Sequence, residues 1–232
     1  PEAGSEKLRR VINKGIDEEA LLRTVAMAIR AGIPNVKLYV MIGLPEETEE
    51  DIEAIRDMAL TVMKCMQENG RAGVLTLSIN PFIPKPFTPF QWLPMTEQSI
   101  VATRLKNIEK SLKGEKKIRV QFESLKEAYL QAVLARGDER VGQILLQAHR
   151  FGGRKYWKQA LKELKIDEAD YLYRMRTPDE ILPWDRIDVG VTKAYLLSEL
   201  EKSYNAVCSA VCTPSCKRCG VCCETGDGKG RV

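Results

Sequence analysis

The sequence predicts an α/β fold of parallel strands joined by crossover helices. Three observations carry that expectation. Apolar runs of strand length alternate with amphipathic helical stretches between residues 17 and 124. The alternation repeats about every 40 residues, the length of a strand–helix unit. Beyond residue 124 the pattern changes to short helices and irregular loop, and the chain closes on a tail holding six of its seven cysteines. The parallel segment suits either a (β/α) barrel or an open doubly wound sheet. The expected organisation is therefore 1–124 for the strand–helix part, 125–204 for a helical region and 205–232 for a Cys-rich tail.

Each element follows from its residues. DEEALLRTVAMAIRAG at 17–32 places Leu21, Leu22, Val25, Ala26 and Ile29 at helical spacing. Acidic residues open it and Gly32 closes it, as the helix dipole and the left-handed C-terminal position favour. VKLYVMIG at 36–43 is short, apolar and rich in strand formers, so it reads as a strand buried on both faces. TEEDIEAIRDMALTVMKCMQENG at 48–70 opens with Thr48 and Asp51 in capping-box spacing and ends at Gly70. Cys65 within it reads as a small buried hydrophobe. VLTLSINPF at 74–82 is the next strand, a helix runs from Thr96 to about Lys113, and IRVQFES at 118–124 is a third strand. PEAGS at 1–5 resembles the exit of a further strand, which makes the chain a candidate fragment.

Composition excludes little beyond the obvious classes. The net charge is +4, with basic residues dispersed among acidic ones, so no nucleic-acid footprint stands out. KGEKK at 113–117 and GGRKYWK at 152–158 read as solvated faces. No apolar run approaches the ~20 residues of a membrane span, and no secretory signal is visible. Cysteines crowded into one tail suit metal in a reducing cytoplasm better than a disulfide framework, which would be spread along the chain.

In parallel α/β folds ligands collect beyond the carboxyl ends of the strands. Three stretches lie there. Glu2 in PEAGS could accept hydrogen bonds from hydroxyls or an amine, although from the residues alone an exposed turn glutamate is the better account. In YVMIGLPEETEED, Gly43 permits close backbone approach, Pro45 stiffens the turn and Glu46 leads into the helix; a well-capped turn is the rival reading. INPFIPKPFTPFQW at 79–92 has four prolines and four aromatics, and either walls a flat ligand or packs as a cover.

These residues carry a resemblance. PEAGSEKLRRVINKG followed by VKLYVMIGLPEETEEDIEAI is similar to the second half of the radical S-adenosylmethionine (SAM) enzymes. PFIPKPFTPFQW, LPWDRIDVGV and the terminal CxxCGVC resemble the radical SAM proteins that carry an N-terminal cobalamin-binding domain. The resemblance implies the C-terminal part of a partial (β/α) barrel, with a helical region and a metal-binding tail. It implies SAM contacts from Glu2 and Ser5, from Met41, Gly43 and Glu46, and from Ile79 and Asn80. Of the family's GxIxGxxE pattern only Gly43 and Glu46 match outright; Tyr39 and Met41 replace the first glycine and the isoleucine.

Radical SAM chemistry needs a CxxxCxxC loop near the start of the barrel to hold a [4Fe–4S] cluster. CTPSCKRC at 212–219 has that spacing but follows all the strands, so it reads as a second, auxiliary site. Cys216, Cys219 and Cys222 with Cys212 or Cys208 make a set for iron–sulfur or for zinc, with Cys223 as a spare. The only histidine, His149, reads as a surface or half-buried residue. The main cluster loop, and cobalamin with its domain, then belong to a missing N-terminal half, the expected partner of this chain. The expected chemistry is radical transfer or rearrangement on an unidentified substrate, beyond this chain alone. The rivals are a non-enzymatic zinc-binding adaptor for protein or RNA, and a methylthiotransferase-like enzyme sharing the GLPEET turn.

Overall fold

Thr48 starts the longest helix of the chain, and its cap explains how the first half is assembled. The computed structural model describes residues 1–221. In chain order α1 is Glu6–Val11, α2 Glu18–Arg30, β1 Val36–Ile42, α3 Glu49–Glu68, β2 Leu75–Pro81, α4 Gln98–Ser111 and β3 Ile118–Phe122. There follow α5 Leu125–Arg136, α6 Arg140–Arg150, α7 Trp157–Leu164, α8 Ala169–Leu172 and α9 Lys193–Tyr204. Two compact units result. The first comprises Pro1–Ile83, Met95–Ala132 and Ser203–Cys208; the second comprises Pro84–Pro94, Val133–Lys202 and the described residues from Ser209 onward.

In the first unit β1, β2 and β3 form a parallel sheet in that order. Helix α3 connects the first pair of strands and α4 the second. Glu2 adds a parallel bridge to Val40 on the free side of β1: its N–H donates to the Tyr39 carbonyl at 3.0 Å, and its carbonyl accepts from Met41 at 2.8 Å. Within PEAGS, Glu2 alone makes this bridge, and the chain then enters α1. The arrangement is consistent with part of a (β/α) barrel.

Side-chain alternation decides which face is core. Leu38, Val40 and Ile42 of β1 and Leu75, Leu77 and Ile79 of β2 are buried against Val25, Ile55, Val62, Met66 and Leu105 from the covering helices. Each such aliphatic side chain contributes roughly 1.5–3 kcal/mol on burial. The alternate residues of β1 are not covered: Lys37 and Tyr39 are exposed and Met41 is half-buried. The expectation of a strand buried on both faces is thus corrected. Helices pack on one face of β1 only, and the other face carries a mixed polar and aromatic row. Helix α1 was absent from the expected elements; at six residues it is too short to show a hydrophobic period.

The second unit has its own core. Trp92, Leu182, Trp184 and Leu196 are buried together, with Phe87, Val191 and Leu200 packed against them. The aromatic PFQW segment is a short 3₁₀ helix, Pro89–Trp92. The Gln91 side-chain carbonyl accepts from the Trp184 indole N–H at 2.7 Å and from the Phe87 backbone at 3.0 Å. PKPFTPFQW and LPWD are therefore one packed structure. The aromatic end of the proline-rich loop is thus packed within the second unit. The His149 side chain is exposed.

Gly4 shows how tightly the first unit closes. A Cβ built there would lie 2.5 Å from the backbone nitrogen of Ile55 and 2.7 Å from its Cα. Backbone cannot yield as a side-chain tip can. Gly4→Ala is expected to destabilise the chain by about 2 kcal/mol or more, seen as a lower urea midpoint with an unchanged m-value.

Candidate functional site

The tips of the strands come together by register. Met41 is the Cα partner of Asn80, and Val40 is the partner of both Glu2 and Ile79. Met41 and Asn80 therefore stand in one row at the carboxyl edge of the sheet, and Glu2 stands one residue back, level with Val40 and Ile79. Behind them, Tyr39 is paired with Ser78 and Ser78 with Gln121. β3 ends against Ile79, so Asn80 extends beyond its neighbour's last paired residue. The Met41–Asn80 row offers an apolar thioether beside an amide.

Other candidate residues take different positions. The Ile79 side chain is wholly buried in the core, leaving only its backbone for a ligand. The Ser5 hydroxyl donates to Asp51 Oδ1 at 2.6 Å and accepts from the Leu8 N–H at 3.2 Å, capping α1. Its single proton is engaged, so it holds structure at this position. The Glu2 carboxylate lies 3.2 Å from Lys14 Nζ, and its backbone has φ +70°, an uncommon conformation for a residue with a Cβ. Gly43 has φ +83°, and its carbonyl accepts from Thr96 Oγ1 at 3.1 Å. Glu46 is exposed, also left-handed at φ +59°, and its carbonyl accepts from Lys7.

Glu47, the neighbour of Glu46, is the carboxylate buried in the β1–α3 turn. Its Oε2 accepts from the Gly43 N–H at 2.7 Å and from Arg104 Nη1 at 2.7 Å. Its side chain is 1% exposed, and Oε1 is buried without a partner. Burial pushes its pKa up to about 7, against the pull of the Gly43 N–H and Arg104. Nothing in the local sequence distinguishes Glu47 from Glu46; the choice depends on Arg104, 57 residues away.

Asp51 is the second carboxylate missed as a site element, although its capping position was legible. It accepts from Ser5 Oγ, from Lys7 Nζ at 2.7 Å, and from the Thr48 N–H at 2.9 Å. Burial opposes its charge, but the hydrogen bonds from Lys7, Ser5 and Thr48 outweigh it and hold the pKa below the usual value. Arg9 completes the brace. Its guanidinium is buried and donates to the carbonyls of Ala3 and Gly4 at 3.1 and 2.8 Å.

The first 59 residues contain this whole arrangement except β2 and Arg104. Residues 1–59 match the radical SAM superfamily model. That match supports the superfamily for this part of the chain, and with it SAM and a [4Fe–4S] cluster as the cofactors implied. An uncharacterized protein of Methanocaldococcus jannaschii, MJ0966, is 40% identical over 145 residues. That match covers 62% of this chain, and the chain spans only 31% of the relative's length. No solved structure matches.

Among the strand-end residues, half-buried Met41 offers an apolar contact, Asn80 a donor and an acceptor, and Glu2 an acceptor, residue types compatible with SAM. The cluster is a different matter. Among the described residues no three of His, Cys, Asp or Glu are grouped to hold a metal. The Cys216 thiol accepts from Arg218 Nε at 3.2 Å, which lowers its pKa. Cys219 is tied through its carbonyl, which accepts from the Thr192 N–H at 2.8 Å. Cys212 bonds weakly to the neighbouring Thr213 carbonyl at 3.9 Å, and Cys208 to the Arg10 carbonyl at the same distance. Cys222 and Cys223 lie outside the described residues. No helix among the described residues is long and apolar enough to cross a membrane.

Glu47 makes a pH prediction. Folded, it keeps its proton up to about pH 7; unfolded, it releases it near 4.5. The folded state binds more protons between those values, so this group's contribution to stability is lost as pH rises through that window. Glu47→Gln keeps an acceptor for Gly43 and removes the titration. Comparing wild type and Glu47→Gln by denaturant unfolding from pH 4 to 8 should show a differential slope, totalling on the order of 3 kcal/mol.

Proposed function

We propose that this chain is the C-terminal portion of a radical SAM enzyme, and that its strand tips hold SAM. The single observation carrying the reading is the register that pairs Met41 with Asn80 at the strand ends, with Glu2 one residue back beside Val40; Glu2 and Met41 lie within the superfamily match. When bound together, SAM and a [4Fe–4S] cluster supply the one-electron reductive cleavage that starts radical transfer or rearrangement. This chain's residues bind and orient. Met41 packs on the adenine, and the Asn80 amide with the Ile79 backbone meets its polar edge. Glu2 accepts from the ribose or the methionine end. Glu47 and Arg104 keep Gly43 in the conformation that turns the chain out of the way.

The cluster cysteines belong in this reading to a segment outside the chain, the partner half. Cobalamin enters through the narrower resemblance of the PKPFTPFQW and LPWDRIDVGV stretches, and makes methyl transfer one form the reaction could take. The tail is proposed as an auxiliary iron–sulfur or zinc site using Cys216, Cys219 and Cys222 with Cys212 or Cys208. Supporting this, Arg218 favours the thiolate form of Cys216, the form that binds metal. A cytoplasmic setting goes with such thiols.

The test separates cluster from pocket. After anaerobic reconstitution, the 232-residue chain should release no 5′-deoxyadenosine from SAM, and a longer frame carrying CxxxCxxC should release it. In that longer protein Met41→Ala should raise the KM for SAM about tenfold with cluster absorbance intact. Robust release from this chain alone, or an unchanged KM, would overturn the respective part. For the tail, an absorbance band near about 400 nm that chelation bleaches marks iron–sulfur, whereas colourless protein releasing zinc marks the adaptor alternative.

A further inference from the structure

Arg176 is a buried cation with more donors than acceptors. The residue is 4% exposed, its Nη2 donates to the Arg136 carbonyl at 2.7 Å, and its guanidinium lies 4.9 Å from the Trp184 ring centroid. Nε and Nη1 are buried and have no hydrogen-bond partner. Beside it, Arg136 is fully buried and donates to three carbonyls, of Pro84, Leu93 and Tyr171, at 2.6–2.9 Å. Carbonyls satisfy geometry, but they do not balance two buried charges.

The nearby carboxylates are already committed. Glu180 pairs with both terminal nitrogens of Arg174 at 2.5 and 2.8 Å, and Asp138 pairs with Arg140 at 2.8–3.1 Å. Asp138 also accepts from the Tyr171 hydroxyl at 3.0 Å. Arg176 lines a cleft of about 410 Å³, with Arg140, Arg174 and Arg186 among its walls. That volume is in the range of small-molecule sites. Arg186 is exposed on the same cleft and forms no ion pair among the described residues. The cleft is built wholly from the second unit and shares no residue with the strand tips.

We propose that this cleft binds a small molecule through an oxyanion, a carboxylate or a phosphate, received by Arg176 and flanked by Arg174 and Arg186. An oxyanion supplies several acceptor oxygens and the missing negative charge at once. The exposed carboxylates Glu139 and Asp170 on the walls limit how much negative charge can enter, which selects one compact anionic group over a polyanion. The inference stands whether or not the strand tips hold SAM.

Isothermal titration of the full 232-residue chain with inorganic phosphate and, separately, with succinate tests it and tells the two sources apart. Saturable binding of at least one probe is expected, weakened about tenfold or more in Arg176→Lys and several-fold in Arg186→Gln. Circular dichroism establishes that each variant is folded. Should Arg176→Lys unfold, Arg186→Gln and Arg174→Gln decide, since both residues are exposed. No saturation of wild type by either probe up to about 10 mM, or equal affinity in the folded variants, would overturn the proposal.

Discussion

Asp51 at the start of α3 is the constraint from which the first unit is built. One carboxylate closes the capping box with Thr48, takes the Ser5 proton and binds Lys7. It therefore fastens three pieces of chain: the segment that follows the Glu2 bridge, helix α1 and the first turn of α3. Its partners are charged or hydroxyl donors, worth more when partly removed from water than on the surface. The close approach this demands is what excludes a side chain at Gly4. Arg9 acts from the other side, holding the Ala3 and Gly4 carbonyls so that the PEAGS backbone has no loose polar groups.

Glu47 does related work four residues earlier, with a different balance. Asp51 has four donors and stays charged readily. Glu47 keeps two partners on one oxygen and leaves the other buried and bare. The turn between β1 and α3 is thus held by one comfortable carboxylate and one costly one. The costly one touches Gly43, the residue whose backbone borders the strand-tip row. Buried polar groups left partly satisfied are commonly found where a protein binds or reacts, because stability alone would have removed them.

How much of this was legible in the sequence depended on the range of the interaction. The strand and helix order and the Thr48–Asp51 cap rest on local pattern, and both appear in the structure. The pairing of Met41 with Asn80 was foreseeable as strand ends, since parallel strands bring their carboxyl tips together whatever the intervening sequence. The roles of Lys7, Arg9, Glu47 and Arg104 were not legible, because each depends on a partner chosen by tertiary packing. The one-sided burial of β1 was missed for the same reason: its run of Val, Leu and Ile reads alike whether one face is covered or two.

The second unit shows what motif resemblance contributes and where physical reading must take over. PKPFTPFQW and LPWDRIDVGV stood out as separate signatures; the structure joins them through Gln91 and Trp184. The second of them runs on to Gly190 and Thr192, against which Gly220 of the tail packs so closely that a Cβ would lie 2.7 Å from the Thr192 side chain and 3.1 Å from the Gly190 carbonyl. The Cys219 carbonyl receives the Thr192 N–H at the same place. A chain of contacts thus runs from the aromatic loop to the cysteine tail inside one unit. Cys219 and Gly220 are thereby seated on Gly190 and Thr192, so the backbone of the tail at these two residues is positioned by the segment that follows LPWD.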